Sequence, residues 1–305
     1  MSGVSGGPER ALIDNNVLRM CRKNVPGGAA ERKMLEQTFV HVNGIGSHTE
    51  RRIWRAGCDS WWAFLAQPTA YPVPKARLAA TLDVVSRSPG ALSRGDWRFF
   101  RERLAARDHW RALPNFADRI RYLDIETDGG TEYENITVIG VSDGVTLRQF
   151  VRGENLMDFP EAMEEVAVLV SFFGSGFDLP VLRNAFPRLP LDQLHLDLCP
   201  LLRRLGLTGG LKRVEQVLGI PRSPETAGLS GWDAVRLWRE WHWGSADARR
   251  VLLAYNGEDV ENMIPLARFA FAQMTVAALA PDSKERPVGA PTPDECRHPG
   301  VPLGL

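Results

Sequence analysis

Hydrophobic and polar positions between residues 119 and 275 follow two periods in turn. RIRYLDIET at 119–127 alternates every second residue, the period of a strand. ITVIGVSDG (136–144) and TLRQFV (146–151) predict a second and a third strand. The polar, glycine-containing TDGGTEYEN reads as the hairpin joining the first two. DFPEAMEEVA then predicts a helix, VLVSFF (168–173) a buried strand ending at GSG, and DLPVLRNAF a helix. HLDL is a short strand and CPLLRRLGL another helix, while GGLKRVEQVLGI starts after a glycine pair and stops at Gly219. A long helical pattern, ADARRVLLAYNGEDVENMIPLARFAFAQM, is expected to be interrupted near Pro265. Three strands followed by alternating helices and strands predict an α/β sheet with helices packed against it.

Before residue 119 the pattern is different. Residues 1–36 are glycine-rich and weakly patterned, the expectation being a flexible leader with at most one short helix. TFVHVNGIGSHTERRIWRAGCDSWWAFLAQ predicts a short extended piece, a glycine turn and two helical stretches. QPTAYPVPKA is broken by prolines, and residues 76–115 read as helical with a break at SPG. From Pro281 the chain is proline-rich, and a disordered tail is expected. The resulting division is a leader (1–36), a helical module (37–115), an α/β domain (116–280) and a tail (281–305).

Within the first strand, Asp124 and Glu126 interrupt an apolar run. Two positions apart, they project from the same face, with Leu123 and Ile125 on the other. Neighbouring carboxylates repel and are costly to bury unpaired, so a cation is expected between them. A divalent metal is the simplest choice. Asp178 follows the GSG turn at the mouth of a helix, where an N-cap role and a ligand role are compatible. Tyr255 and Asp259 are four apart and share a helix face, with Glu258 and Glu261 on other sides as solvated charges.

Charge and cysteine content narrow the classes. Lys+Arg and Asp+Glu are equal at 37 each, so overall basicity gives no sign of a nucleic-acid partner. The four cysteines, Cys21, Cys58, Cys199 and Cys296, form no CxxC pair, which fits free thiols and not a zinc site or disulfide framework. No apolar run is long enough to span a bilayer, and MSGVSGGPER has no signal-peptide core, so a cytoplasmic protein is expected.

The ordered set Asp124-x-Glu126, Phe177-Asp178 and Tyr255-x-x-x-Asp259 resembles the DEDD family of 3′–5′ exonucleases, in its tyrosine-bearing branch. The resemblance covers about residues 119–275 and is nearest to the YprB-type exonuclease proteins of bacteria and archaea. It implies a ribonuclease H-like mixed sheet flanked by helices. It also implies hydrolysis of phosphodiester bonds at single-stranded DNA or RNA ends. On the same resemblance, Asp124, Glu126, Asp178 and Asp259 bind two Mg²⁺ or Mn²⁺ ions, and Tyr255 orients the attacking water. A phenol that titrates near pH 10 is a poor base at neutral pH, which leaves the water's proton mostly to the metal. The alternative is a nucleic-acid-binding or assembly protein that keeps the nuclease fold without turnover. Where many relatives carry an Asn before the second-motif Asp, this chain has Phe173 and Gly174.

Other motifs carry two readings each. NGIGSHTERRIW resembles a helix-hairpin-helix turn, in which Gly44 and Gly46 let backbone N–H groups meet a phosphate and Arg51 adds charge. Equally, it is a plain packing element. Phe177 is a candidate contact to nucleic acid beside Asp178. The arginines of 87–121, interleaved with Trp97, Phe99, Phe100 and Trp110, read either as a phosphate-tracking stripe with stacking aromatics or, as the helical spacing favours, as solvated charges around an aromatic core. LWREWHWG (237–244) reads as core in preference to a base-stacking shelf, and His195 and Asp197 read as structural, because short polar groups at a strand end often cap the following helix.

Overall fold

The computed structural model describes residues 33–280; the rest of the expected leader, and the tail from 281, lie outside them. Strands β1 (Ile120–Thr127), β2 (Ile136–Ser142), β3 (Leu147–Val151), β4 (Val168–Ser171) and β5 (Leu194–Asp197) form one sheet, ordered β3-β2-β1-β4-β5. β1 pairs antiparallel with β2 and β2 with β3, whereas β4 joins β1 in parallel and β5 joins β4 in parallel. The sheet is mixed because hairpins connect the first three strands and helical crossovers connect the rest.

Among the described residues four helices come before the sheet: α1 (Ser47–Arg55), α2 (Trp61–Ala66), α3 (Leu78–Ser93) and α4 (Trp97–Arg101). Six follow its first three strands: α5 (Phe159–Ala162), α6 (Asp178–Ala185), α7 (Leu198–Arg204), α8 (Leu211–Leu218), α9 (Gly231–His242) and α10 (Ala246–Leu279). Leu123 and Ile125 of β1, Ile139 of β2 and Leu169 of β4 pack on one side with Phe159, Leu179 and Leu182 of α5 and α6. Ile120, Val168, Val170 and Leu196 pack on the opposite side with Val260, Met263 and Ala267 of α10. Alternation along β1 therefore turns Asp124 and Glu126 away from Leu123 and Ile125, toward the α10 side.

Residues before the sheet join that second core. Trp110 meets Phe271 of α10 edge-on at 5.8 Å, and the His195 backbone N–H donates to His109 Nδ1 at 3.0 Å. Trp97, Phe99, Phe100 and Trp110 are buried, with the guanidiniums of Arg98 and Arg103 lying 4.3 and 4.1 Å over the Trp97 and Phe99 rings. The aromatics are core, as their helical spacing predicts.

Four expectations are corrected. α3 runs unbroken through Pro89 and Gly90, because Thr81, Val85, Ser88 and Ala91 form a buried stripe whose packing outweighs one missing N–H. α10 likewise passes through Pro265, which is buried with Met263, Ile264 and Leu266. Met34 and Leu35 lie in a 3-10 turn and are fully buried, so the last residues of the stretch assigned to the leader are packed into the core. LWREWHWG is not core: Trp243 is 82% exposed, and Trp238 and Trp241 are only partly covered. Only Leu237 of that run is buried, with Trp238 and Trp241 packed beside it, since one helical face cannot bury four bulky residues.

Candidate metal centre

β1 ends beneath α10, and that crossing assembles the site. Asp124 lies opposite Gly140 of β2, and Asn256 of α10 fills the space a side chain at 140 would take. A Cβ at Gly140 would stand 2.3 Å from Asn256 Oδ1. Glycine in a strand interior marks such close backbone approach. Asn256 Nδ2 then donates to Asp124 Oδ2 at 3.1 Å, while Gln149 Nε2 of β3 donates to Asn256 Oδ1 at 3.0 Å. One amide thus fixes the orientation of Asp124.

Tyr255 and Asp259 sit one turn apart on α10, both buried, on the face turned to β1. Asp124, Glu126 and Asp259 each offer an oxygen, and these three atoms lie within 4.8 Å of one another. Asp124, Glu126, Tyr255 and Asp259 line a cleft of about 470 Å³ whose rim carries Phe177 and Trp232.

Asp178 stands beside this trio and not within it. It is the first residue of α6, and Phe177 takes the capping position with no side-chain hydrogen bond. The cap reading of Asp178 therefore fails: its Oδ1 accepts from the Ile125 backbone N–H at 3.2 Å, tying α6 to β1. The turn before it is held by Asp197, which accepts from the Phe173 and Ser175 N–H groups at 2.9 and 3.0 Å. Asp197 also accepts from Cys199 N at 3.1 Å, the helix cap its position predicts. Phe173 adopts φ 66°, a left-handed conformation that is rare for a bulky residue.

Electrostatics push the group toward accepting a cation. Burial raises the Asp124 and Glu126 carboxyls well above the usual range, and Asp259 adds the next largest push on both. Asp178 is pushed up to about 7, chiefly by burial. Asp259 is also raised by burial, although Arg222 and Lys212 oppose the shift. Three oxygen donors with no thiol nearby suit a hard divalent ion. Tyr255 is raised further still by burial and by Asp259, Glu126 and Asp124, so it stays neutral.

Two cations reach the site that the sequence did not single out. Lys212 of α8 donates to Tyr255 Oη at 3.0 Å and lies 4.2 Å over its ring. Arg222 donates to Asp259 Oδ1. Arg222 therefore competes with a cation for the Asp259 carboxylate. Glu258 differs too: it accepts from Ser223 N at 3.1 Å and from Thr226 Oγ1, so it anchors the 220–230 segment and is not a solvated charge. Lys212 lies within the glycine-bounded α8 and Arg222 just beyond it, and their roles depend on contacts 43 and 37 residues away in sequence.

The glycine turn lies apart from this cleft. Gly44 has φ +86°, which requires glycine, and the Arg77 guanidinium packs over it. Gly46 is extended with open space around a would-be Cβ, so glycine is not required there. Arg51 is half-buried on α1. None of the three lines the carboxylate cleft. Asp128 and Asp143 lie in the turns that follow β1 and β2, and Asp143 Oδ1 accepts from the Val145 and Thr146 N–H groups. His195 Nε2 is hydrogen-bonded to Ser171 Oγ at 2.8 Å, a structural role.

Residues 121–270 match the family model RNase_H_2, of the RNase_H superfamily. No curated protein and no solved structure matches the chain. Among the described residues no helix is long and apolar enough to cross a membrane. RNase H-like nucleases act on nucleic acid and use divalent metals, and the carboxylate trio lies within the matched span. The mixed five-stranded sheet and its flanking helices are consistent with the RNase H-like fold that the match over residues 121–270 indicates, and that match suggests a nuclease.

Proposed function

We propose that this protein is a metal-dependent 3′–5′ exonuclease of the tyrosine-bearing DEDD type, hydrolysing single-stranded DNA or RNA ends. The observation that carries the reading is the meeting of Asp124, Glu126 and Asp259 within 4.8 Å, with Tyr255 one turn before Asp259 on the same wall. Asp124, Glu126 and Asp259 would hold one Mg²⁺ or Mn²⁺, and Asp178 would reach a second with Asp124. Such a pair supplies charge stabilisation to the attacking and leaving oxygens of an in-line displacement. The protein's own part is positional. Asn256 fixes Asp124, the Ile125 N–H fixes Asp178, and neutral Tyr255 presents its hydroxyl to orient water. Lys212, hydrogen-bonded to Tyr255, holds that hydroxyl in place and adds positive charge for a phosphate. We assign residues 37–115 to a module that buttresses β5 and α10, with Gly44, Gly46 and Arg51 as a separate backbone contact.

A second reading has one observation in its favour. Arg222 on Asp259 occupies an oxygen that a metal would need, as expected of a nucleic-acid-binding protein that keeps the fold without turnover. The two are separated by incubating wild type, Asp124→Ala and Asp259→Ala with end-labelled DNA and RNA in Mg²⁺, Mn²⁺ or EDTA. Stepwise shortening from the 3′ end that both substitutions abolish supports the exonuclease. Absence of cleavage under every condition favours the binding protein, and cleavage of circular substrates would assign endonuclease action.

A further inference from the structure

α9 leaves one stripe uncovered. Trp232, Arg236, Arg239 and Trp243 recur at i, i+4, i+7 and i+11, a single side of the helix. Trp232 and Trp243 are 80% and 82% exposed. Soluble surfaces seldom leave large apolar groups this open in series without a binding role. The arginines between them are exposed too. Arg236 is engaged only by Asp233 and Glu240 of its own helix, at 3.6 and 2.6 Å, and Arg239 makes no ion pair among the described residues.

Both ends of the stripe lead somewhere. Trp232 lines the carboxylate cleft, as does Phe177. Trp243 and Arg239 line a larger cleft of about 690 Å³, together with Trp238, Trp241 and Arg152. Asp128 borders that cleft and Gly129 borders the carboxylates, so one short turn after β1 separates the two. Eleven residues of helix place Trp232 and Trp243 about 16 Å apart. At a rise of about 3.4 Å per nucleotide, that spans a handful of stacked bases.

Rings that alternate with cations fit a charged, base-bearing chain. A protein partner would favour a contiguous apolar centre with charges kept to the rim, and here the arginines interrupt it. Base stacking on aromatic side chains tolerates any sequence but requires unpaired bases, while arginines between the rings meet the phosphates. We propose that Trp232, Arg236, Arg239 and Trp243 form a stacking track for the unpaired strand whose end enters the carboxylate cleft, so that single strands are selected over duplex. This assignment rests on the nuclease reading for the direction of the strand. The track itself is tested by binding alone.

Fluorescence anisotropy of labelled dT12, rU12 and a blunt duplex, measured in EDTA, reads the track without turnover. Wild type is expected to bind the single strands at least tenfold more tightly than the duplex. Trp232→Ala with Trp243→Ala should weaken dT12 binding at least tenfold. The Phe versions should restore most of the loss. Arg239→Gln should lower the slope of log affinity against log salt by about 0.7. The loss from the double Ala variant should be much smaller for dT2, which is too short to span both rings. Unchanged dT12 affinity in the double variant overturns the track, as does duplex binding as tight as single-strand binding. A substitution that dissociates an oligomer while dT12 still binds would also overturn it, reassigning the face to self-association. A wild type that binds dT12 through these residues but cleaves nothing leaves the track standing and removes the exonuclease reading. Cleavage without any dependence of dT12 binding on the two tryptophans does the reverse.

Discussion

Arg222 is joined to Asp259, one of the carboxylates lining the cleft, and the same guanidinium grips a second carboxylate. Arg222 Nε and Nη2 donate to Glu215 at 2.5 and 2.7 Å, and Nη2 also reaches Asp259. Glu215, fully buried on α8, takes a further hydrogen bond from Asn262 at 3.0 Å. Arg222 is therefore anchored by Glu215 and shares its charge with Asp259. A cation placed among Asp124, Glu126 and Asp259 must compete with it for Asp259. Removing Arg222 alone would leave Glu215 buried and unpaired, which is strongly destabilising. In the double variant Glu215→Gln/Arg222→Gln, Mn²⁺ is expected to bind several-fold more tightly, as read by electron paramagnetic resonance titration. Unchanged affinity would show that the pair stands clear of the metal's oxygens.

Tyr255 separates positioning from metal binding. Tyr255→Phe keeps the ring beneath Lys212 but deletes the hydroxyl that Lys212 contacts. Cleavage rate is expected to fall by about ten- to a hundredfold, the scale of a lost hydrogen bond to a charged group. Mn²⁺ affinity should stay as in wild type. Equal loss in both measurements would move Tyr255 from water positioning to metal-site structure.

The metal-free protein should respond to pH in a defined direction. Burial pushes the Asp178 carboxyl from 3.8 up to about 7. Because the folded value is the higher one, the proton stabilises the fold. That contribution is complete below 3.8 and is lost as pH rises through about 7. Buried His41, lowered to about 3 by burial and then by Arg103 and Arg111, has the opposite sign and loses stability as pH falls below 6.5. The two overlap, so the informative quantity is a difference. Asp178→Asn should gain in melting temperature relative to wild type between pH 5 and 8 in EDTA. A difference that is flat across that range would mean that this carboxyl does not titrate there.

Packing between β2 and α10 sets the geometry of Asp124. Gly140→Ala drives a methyl into Asn256 Oδ1, and overpacking of this kind costs about 1–3 kcal/mol. Chemical denaturation should show that loss. Cleavage should fall by more than the stability change explains, because the amide that orients Asp124 is displaced. Wild-type activity in a folded Gly140→Ala protein would argue against that role of Asn256.

A buried ion pair holds the helical module together. Arg111 Nη2 donates to Glu50 Oε2 at 2.9 Å and Nη1 donates to Thr38 Oγ1 at 3.0 Å, while Glu50 Oε1 accepts from Phe39 N at 2.7 Å. Arg111→Met leaves Glu50 charged and dry, at an expected cost of about 3–5 kcal/mol. Glu50→Gln combined with Arg111→Met should recover part of it. Equal stability of the single variant and wild type in urea would show that Glu50 gains water or another partner.

Local pattern alone reached the strand order of events along the chain and the residue pairs that one element can bring together. Period-two alternation placed Asp124 and Glu126 on one face, and helical spacing placed Tyr255 with Asp259, because both relations lie within a single strand or helix turn. Proline misled the reading at Pro89 and Pro265: a missing N–H is a local fact, whereas the burial that carries each helix through it is not. Only the folded chain could bring Arg222 to Asp259, Lys212 to Tyr255 and Asn256 to Asp124, since these contacts join segments from 37 to 132 residues apart. Their energies depend on which side chains happen to be desolvated together, and no local period encodes that. The same reason explains the tryptophans of α9. Sequence supplies their helical spacing, but only the packing of α9 against α10 decides which face of that helix is left for a ligand.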